Sequence, residues 1–364
     1  MERNLSRIYT ILLTTIILLA MIYGQSILMP VIIAIVITFV IDDVADRCEQ
    51  LTIANIRLSH RVARGVSIFL ILFVLLFIVR MGIGTATLIA GRFPEYRANL
   101  NTVVDSVPDQ LWVALLGQDA QLDVDDIVNE LFNLGTTYVT DYISSIASDI
   151  LNLFVQAFIV LFYVIFLLSE QGQFKEKMGK MFPDHKRRTE MANIVASIGD
   201  QAQKYISVKT YVSVLTGIGS WVVMALFGIH FAIFWAILIF VLNYIPYVGS
   251  IIAVVFPVIL AVFQFGTFTT AGFLFIALTG IQVLVGYIIE PIVMGNSLDI
   301  SAFVVLASLS LFGAIWGIFG MIIAIPIVII LIIVMSHFES TRPIAILLTG
   351  NGELNFHTHV EENK

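Results

Sequence analysis

The chain has 364 residues, 59% of them hydrophobic and 12% charged, with a formal net charge of −7 and a mean hydropathy of +0.97. Average globular composition is roughly 45–50% apolar and about a quarter charged, so a soluble domain is excluded and much of this chain must be solvated by lipid. Cys48 is the single cysteine, which removes disulfide frameworks and cysteine metal clusters from consideration. No metal and no cofactor is expected.

In hydrocarbon every backbone donor and acceptor must be satisfied internally, which leaves helices or a closed barrel. The apolar stretches are long and unbroken rather than alternating, so the expected class is an all-α polytopic membrane protein. Arg3 and Arg7 precede an apolar run from Ile8 to Ile41, interrupted by Gly24, Gln25 and Pro30. That run exceeds one span of ~20 residues, and it reads as a helical hairpin turning near 24–30. Arg47, Arg57, Arg61 and Arg64 mark the next polar segment, 42–64, and Gly65 to about Ala90 is a third span. Residues 1–90 thus form a group of N-terminal membrane segments.

Residues 91–149 hold ten acidic residues against Arg92 and Arg97. The segment is too polar for lipid and too long for a turn. Val124, Ile127, Val128, Leu131 and Leu134 keep helical spacing, so a small amphipathic helical insert is expected there. A fourth span covers 150–168. The following segment, 169–209, carries eight basic residues: Lys175, Lys177, Lys180, Lys186, Arg187, Arg188, Lys204 and Lys209. Lysine and arginine near span ends stay cytoplasmic. This places the N-terminus, 42–64 and 169–209 inside and the acidic insert outside, with an even number of spans between each pair of inside segments.

The C-terminal part, 210–336, reads as the transport core, followed by a cytoplasmic tail at 337–364. Tyr211–Phe227 and Thr267–Ile289 are spans. Between them, 229–266 is broken by Asn243-Tyr244-Ile245-Pro246-Tyr247-Val248-Gly249-Ser250, and later 302–336 is broken around Gly313, Trp316, Gly317 and Gly320. Each arm of about 16–18 residues gives roughly 25 Å of helix, short for a full crossing. Re-entrant hairpins and pairs of tight spans both fit. Span-then-hairpin occurs twice, starting from opposite sides, which is the pattern of an inverted repeat with a solute site between the broken segments. The expectation is about eight membrane segments, two of them broken hairpins.

Glu290 directly precedes Pro291 at the end of a long apolar span, with Gln282 two turns earlier. An ionisable group in a membrane is a functional candidate; the alternative is that it marks the water boundary. Asn296 and Asp299 lie in the connection that follows, as path candidates or solvated loop residues. Proline removes a donor and glycine permits a tight turn, so Asn243, Tyr244, Pro246, Tyr247 and Gly249 form either a path at membrane depth or an interfacial anchor. Gly313 and Gly317 around Trp316 permit close helix packing. Arg80 is explained by snorkelling, and His230 by an interfacial helix end. Walker, zinc-protease and nucleophile-elbow motifs are absent, so no enzyme and no ATP-driven pump is expected. The basic run at 186–188 is a topology signal and implies no nucleic acid.

The runs Tyr205–Thr210, Phe231–Trp235, Asn243–Ser250, Glu290–Gly295, Gly313 through Pro326 and Arg342–Leu348 together resemble the autoinducer-2 exporter family, most densely over 200–349. The resemblance implies eight membrane segments per subunit, homo-oligomers with five subunits as the expected number, and export of small signalling molecules or ion/proton exchange. It points to Asn243–Ser250 and Glu290-Pro291 as the segments shaping the transport site. The family often has a basic residue after the Glu-Pro pair, where this chain has Ile292. Glu290 is therefore expected to lack a local counter-charge, which would raise its pKa if buried and suit proton coupling. The first functional reading is an inner-membrane exporter of a small polar solute such as autoinducer-2, coupled to protons or sodium. The alternatives are a sodium- or lithium-for-proton antiporter on the same scaffold, and a non-transporting scaffold presenting the acidic insert.

Overall fold

The computed structural model describes residues 19–50, 60–106, 155–173, 184–294 and 299–354, with a few isolated positions between them. In chain order the helices are α1 Gln25–Gln50, α2 His60–Ser106, α3 Val155–Gln173, α4 His185–Leu226, α5 Ala232–Leu242, α6 Val248–Phe265, α7 Phe268–Val283, α8 Glu290–Met294, α9 Ala302–His337 and α10 Arg342–Leu348. A π-helical stretch, Leu284–Ile289, joins α7 to α8. Among the described residues, seven helical segments are long and apolar enough to cross a membrane, and α5 is a shorter apolar helix. The protein is an all-α polytopic membrane protein. Large apolar side chains such as Phe69, Phe73, Ile218 and Phe303 are exposed along these helices, as a lipid solvent permits.

Two expectations change. No hairpin turns at 24–30: helical hydrogen bonds carry through Gly24, whose N–H donates to Ala20 O and whose carbonyl accepts from Leu28 N. Pro30 lies inside α1. A proline removes one helical bond, which is insufficient to reverse a run with apolar partners on both sides. Second, the polar flanks of two spans are not separate elements. Residues 91–106 continue the third span as α2, and 185–209 run directly into the Tyr211–Phe227 span as α4. The rest of the acidic insert lies outside the described residues except at isolated positions.

The chain divides into two compact units. The first comprises Met1–Ile68, Phe154–Val208 and Val293–Lys364; the second comprises Phe69–Leu153 and Lys209–Ile292. In the first unit, the second arm of α9 is the most deeply buried element. Ile325, Ile329 and Ile333, at helical i, i+4, i+8 spacing, pack with Tyr205, Ile206, Val36 and Phe39. Arg64 on α2 donates to Asp42 on α1 and Gln171 on α3, and Gln171 donates back to Asp42, closing a three-helix polar triangle. Helix α10 lays Ala345 and Leu348 against Val328 and Ile332 of α9.

In the second unit, α5 and α6 form a hairpin whose core is Ala236, Ile239, Ala253, Val254, Leu260 and Ala261, packed with Leu274 and Leu278 of α7 and Met224 of α4. The base of the hairpin is tied shut. The His230 N–H donates to Gln264 Oε1 at 2.7 Å, and Gln264 Nε2 donates to Gly228 O at 2.7 Å. The tip lies beside Thr210 and Ser213 of α4, so the run of α4 from Ser213 to its end at Leu226 measures about 20 Å from the tip toward the base. That is short of the ~30 Å hydrocarbon core, and the 11 residues of α5 give only about 16 Å. Helix α5 is thus too short to cross alone, while the 18 residues of α6 give about 27 Å and are long and apolar enough to cross.

Candidate functional site

The break between α5 and α6 is built by three local devices. Helix α5 ends at Leu242, and the following N–H groups bond back within the turn, Tyr244 to Val241 O and Ile245 to Leu242 O. Tyr247 then adopts φ 63°, ψ −56°, and Val248 N donates to Pro246 O at 2.7 Å. This is a γ-turn of the rare, strained hand. Gly249 completes the reversal: a Cβ there would collide with the Leu242 carbonyl. In a continuous helix residues 242 and 249 would lie about 10 Å apart, so only a folded-back chain makes this contact, and only glycine permits it.

Helix α4 supplies the polar partners of this break. Asn243 is buried, and its Nδ2 donates to Ser213 Oγ at 3.1 Å. The Tyr244 hydroxyl and Thr210 Oγ1 share a hydrogen bond of 2.7 Å. One residue earlier on α4, Lys209 Nζ donates to Glu290 Oε1 at 2.7 Å, with side-chain exposures of 5% and 21%. The expectation that Glu290 lacks a counter-charge is therefore overturned. Its partner comes from 81 residues away in the chain, not from the position after Pro291. Burying the ammonium is tolerable because the carboxylate neutralises it; removing one partner of such a pair strands the other charge.

The other candidates are distributed as follows. Pro246 and Tyr247 form the tip, with Tyr247 about half exposed. Gln282 is half-buried near the end of α7. Pro291 opens α8 behind Glu290. Asn296 lies outside the described residues. Asp299, in the first unit, holds the C-terminal segment: its carboxylate accepts from Asn351 N at 2.6 Å and its carbonyl from Gly350 N at 3.2 Å. In α9 the break falls at Gly317 alone, with φ 62° and ψ −146°, a backbone open essentially to glycine. Gly313 meets Met321 and Gly320 meets the Phe312 carbonyl across the turn. Trp316 is buried and donates from Nε1 to Met21 O at 3.1 Å.

A second polar cluster, at the hairpin base, escaped sequence reasoning. The continuation of α2 brings Arg92, Tyr96 and Asn99 onto the turns that flank α5 and α6. Asn99 Nδ2 donates to Phe263 O and Gln264 O at 3.1 and 2.7 Å. Arg92 Nη1 lies 3.0 Å from His230 Nε2, and the Tyr96 hydroxyl lies 2.9 Å from His230 Nδ1. Arginine only donates, so Nε2 must be the accepting nitrogen and Nδ1 carries the proton given to Tyr96. Burial, then the Arg92 charge, lowers the His230 pKa from 6.5, with Glu95 opposing. Burial also pushes the Tyr96 phenol up to about 12, against the pull of Arg92. His230 is thus a fully engaged clasp residue between the end of α4 and the start of α5. The i, i+4, i+7 spacing of Arg92, Tyr96 and Asn99 was the available signal.

Comparison with known proteins decides the family. The model of the AI-2E family transporter matches residues 11–340. The chain belongs to this family. A Borreliella burgdorferi protein named "Putative transport protein" is 37% identical over 196 residues, 54% of each chain. The AI-2 transport protein TqsA of Escherichia coli K12 is 35% identical over 185 residues, covering 50% of this chain and 52% of that one. The chain thus matches about half the length of these relatives. Family membership makes this a multi-pass membrane protein of transporter type, which agrees with the expectation of a non-enzyme. The resemblance read from the residues at 200–349 is the family that the whole-chain match shows.

Proposed function

We propose that this protein is a secondary transporter that exports a small polar solute, autoinducer-2 or a similar signalling molecule, across the bacterial inner membrane. In this reading both termini are cytoplasmic and the protein works as a homo-oligomer, five subunits being the expected number. The observation that carries the proposal is the polar seam where Lys209, Thr210 and Ser213 of α4 meet Glu290, Tyr244 and Asn243. Polar groups in a lipid-facing bundle are costly and mark solute or ion routes, and this seam coincides with a strained, glycine-dependent break. Each of the three bonds joins α4 to an element able to move against it. Opening of the seam requires the Lys209–Glu290 pair to part, and this is the step to which proton or sodium coupling would attach.

The test is movement of labelled autoinducer-2 in proteoliposomes, with and without a pH gradient, for wild type and Glu290→Gln. Gradient-dependent movement lost in the variant supports proton-coupled export. Proton flux driven by sodium or lithium, with no solute movement, would replace this reading with the antiporter. That alternative ranks second because Lys209 already neutralises the carboxylate that a cation would need. A wild type that moves neither solute nor ions, with function untouched by seam variants and abolished by deleting the acidic insert, would favour a non-transporting scaffold.

A further inference from the structure

The seam is one end of a longer polar file. Lys209, Ser213, Thr216 and Ser220 are 4%, 0%, 1% and 1% exposed. At 100° per residue they fall within an arc of about 60° and extend about 16 Å along α4. The glycines between them locate this face. A Cβ on Gly217 would meet Ala236 O and Phe240 of α5, and one on Gly219 would meet Ile281 of α7. Gly217 lies about 70° to one side of the file and Gly219 about 90° to the other. The file therefore points at the crevice between the α5–α6 hairpin and α7.

Ser220 is the informative member. The buried hydroxyls of Thr38, Ser67 and Thr216 each donate to the carbonyl four residues back, at 2.8 to 2.9 Å. The Ser220 hydroxyl is buried and has no hydrogen-bond partner. An unmade bond of this kind is a net cost to the fold, and a methyl in its place would avoid it. The penalty is relieved in any state where water or a hydrogen-bonding solute reaches the crevice.

We infer that the Lys209–Ser213–Thr216–Ser220 face of α4 is the wall of the solute path, opened when the α5–α6 hairpin withdraws, with Ser220 contacting the solute at the end furthest from Lys209. This rests on the transporter reading above and adds the residues that line the route. Solutes suited to it are small and rich in hydrogen-bonding groups, since three of the four side chains are hydroxyls and the fourth is charge-compensated.

The experiment uses the full chain with Cys48→Ser, carrying Ser213→Cys, Ser220→Cys or, on the exposed flank of α4, Ile218→Cys. Proteoliposomes are treated with a small membrane-impermeant methanethiosulfonate during transport turnover. Cysteines at 213 and 220 should react at least about tenfold faster than at 218, because the reagent needs a hydrated thiolate. Equal, slow labelling at 218 and 220 in protein that still transports overturns the inference and leaves the transporter reading standing. Fast labelling at 220 in protein that moves no autoinducer-2 upholds the path and removes that solute. Ser220→Ala provides a second readout. Several-fold slower transport with a melting temperature unchanged or raised is expected, because the unpaired hydroxyl is removed; unchanged transport identifies an idle core hydroxyl and overturns the assignment.

Discussion

The two broken hairpins solve one problem in different ways. Both place an aromatic pair at i, i+4 just before the turn, Phe240–Tyr244 in one and Phe312–Trp316 in the other. Both then press a glycine onto a carbonyl at the end of the first arm, Gly249 on Leu242 and Gly320 on Phe312. The α9 hairpin turns at Gly317, where the unusual backbone is cheap because no side chain opposes it. The α5–α6 hairpin places a tyrosine at positive φ at its tip and a phenylalanine, Phe231, at positive φ at its base. Its tip is held by two side-chain bonds to α4, where the α9 turn has one described, from Trp316 to Met21 O. Strain in a non-glycine residue persists only where the surroundings over-determine it, and it concentrates at clamps and switches. On the transport reading proposed above, this difference suits the α9 hairpin to framework and the α5–α6 hairpin to movement.

The largest expected effect tests what the two share. Gly249→Val and Gly320→Val each drive a side chain into backbone, and both should abolish folded protein, measured as monodisperse yield in detergent. Survival of one of them would break the equivalence of the turns. Next comes the ion pair, which has no counterpart in the contacts described for the α9 turn. Lys209→Met or Glu290→Gln alone should lower stability by about 3–5 kcal/mol, while the double variant recovers most of it; thermal melting of the four proteins gives the coupling.

A smaller effect separates the tips. Tyr247→Gly relieves the γ-turn and should stabilise by about 1–3 kcal/mol in the absence of lost contacts, whereas Gly317→Ala should destabilise by a similar amount. Transport should slow in Tyr247→Gly if the strain serves opening. The smallest effect is at the hairpin base. His230 has a lowered pKa in the fold, so the unfolded chain binds the proton more readily. The stability contribution is complete above the ordinary value of 6.5 and is lost as pH falls below it toward the folded value. A melting-temperature series from pH 7.5 to about 5 should show a decline that flattens in His230→Gln.

How much of this was legible follows from the range of each interaction. Asn243, Pro246, Gly249 and Gly317 announced their breaks because a break is a local event: a missing donor, a missing Cβ, an interrupted apolar run. Glu290 was legible as an ionisable group at the end of an apolar span. Its partner was not, because Lys209 sits among loop-like basic residues in the sequence and counted there as a topology signal. Asn99 and Gln264 meet across 165 positions, and nothing in either neighbourhood marks the other. Asp299 looked like a path candidate but ties down the C-terminal segment, a distinction that depends on where Gly350 and Asn351 return.

By itself the sequence determined the solvent, the helical class, the positions of the breaks and the family, because hydropathy, proline, glycine and motif spacing act over a few turns of chain. Only the tertiary structure decided which charges are paired, which hydroxyl is left without a bond and which hairpin is strained. Those properties belong to pairs of distant groups, and burial, which makes them costly or cheap, exists only once the helices have packed.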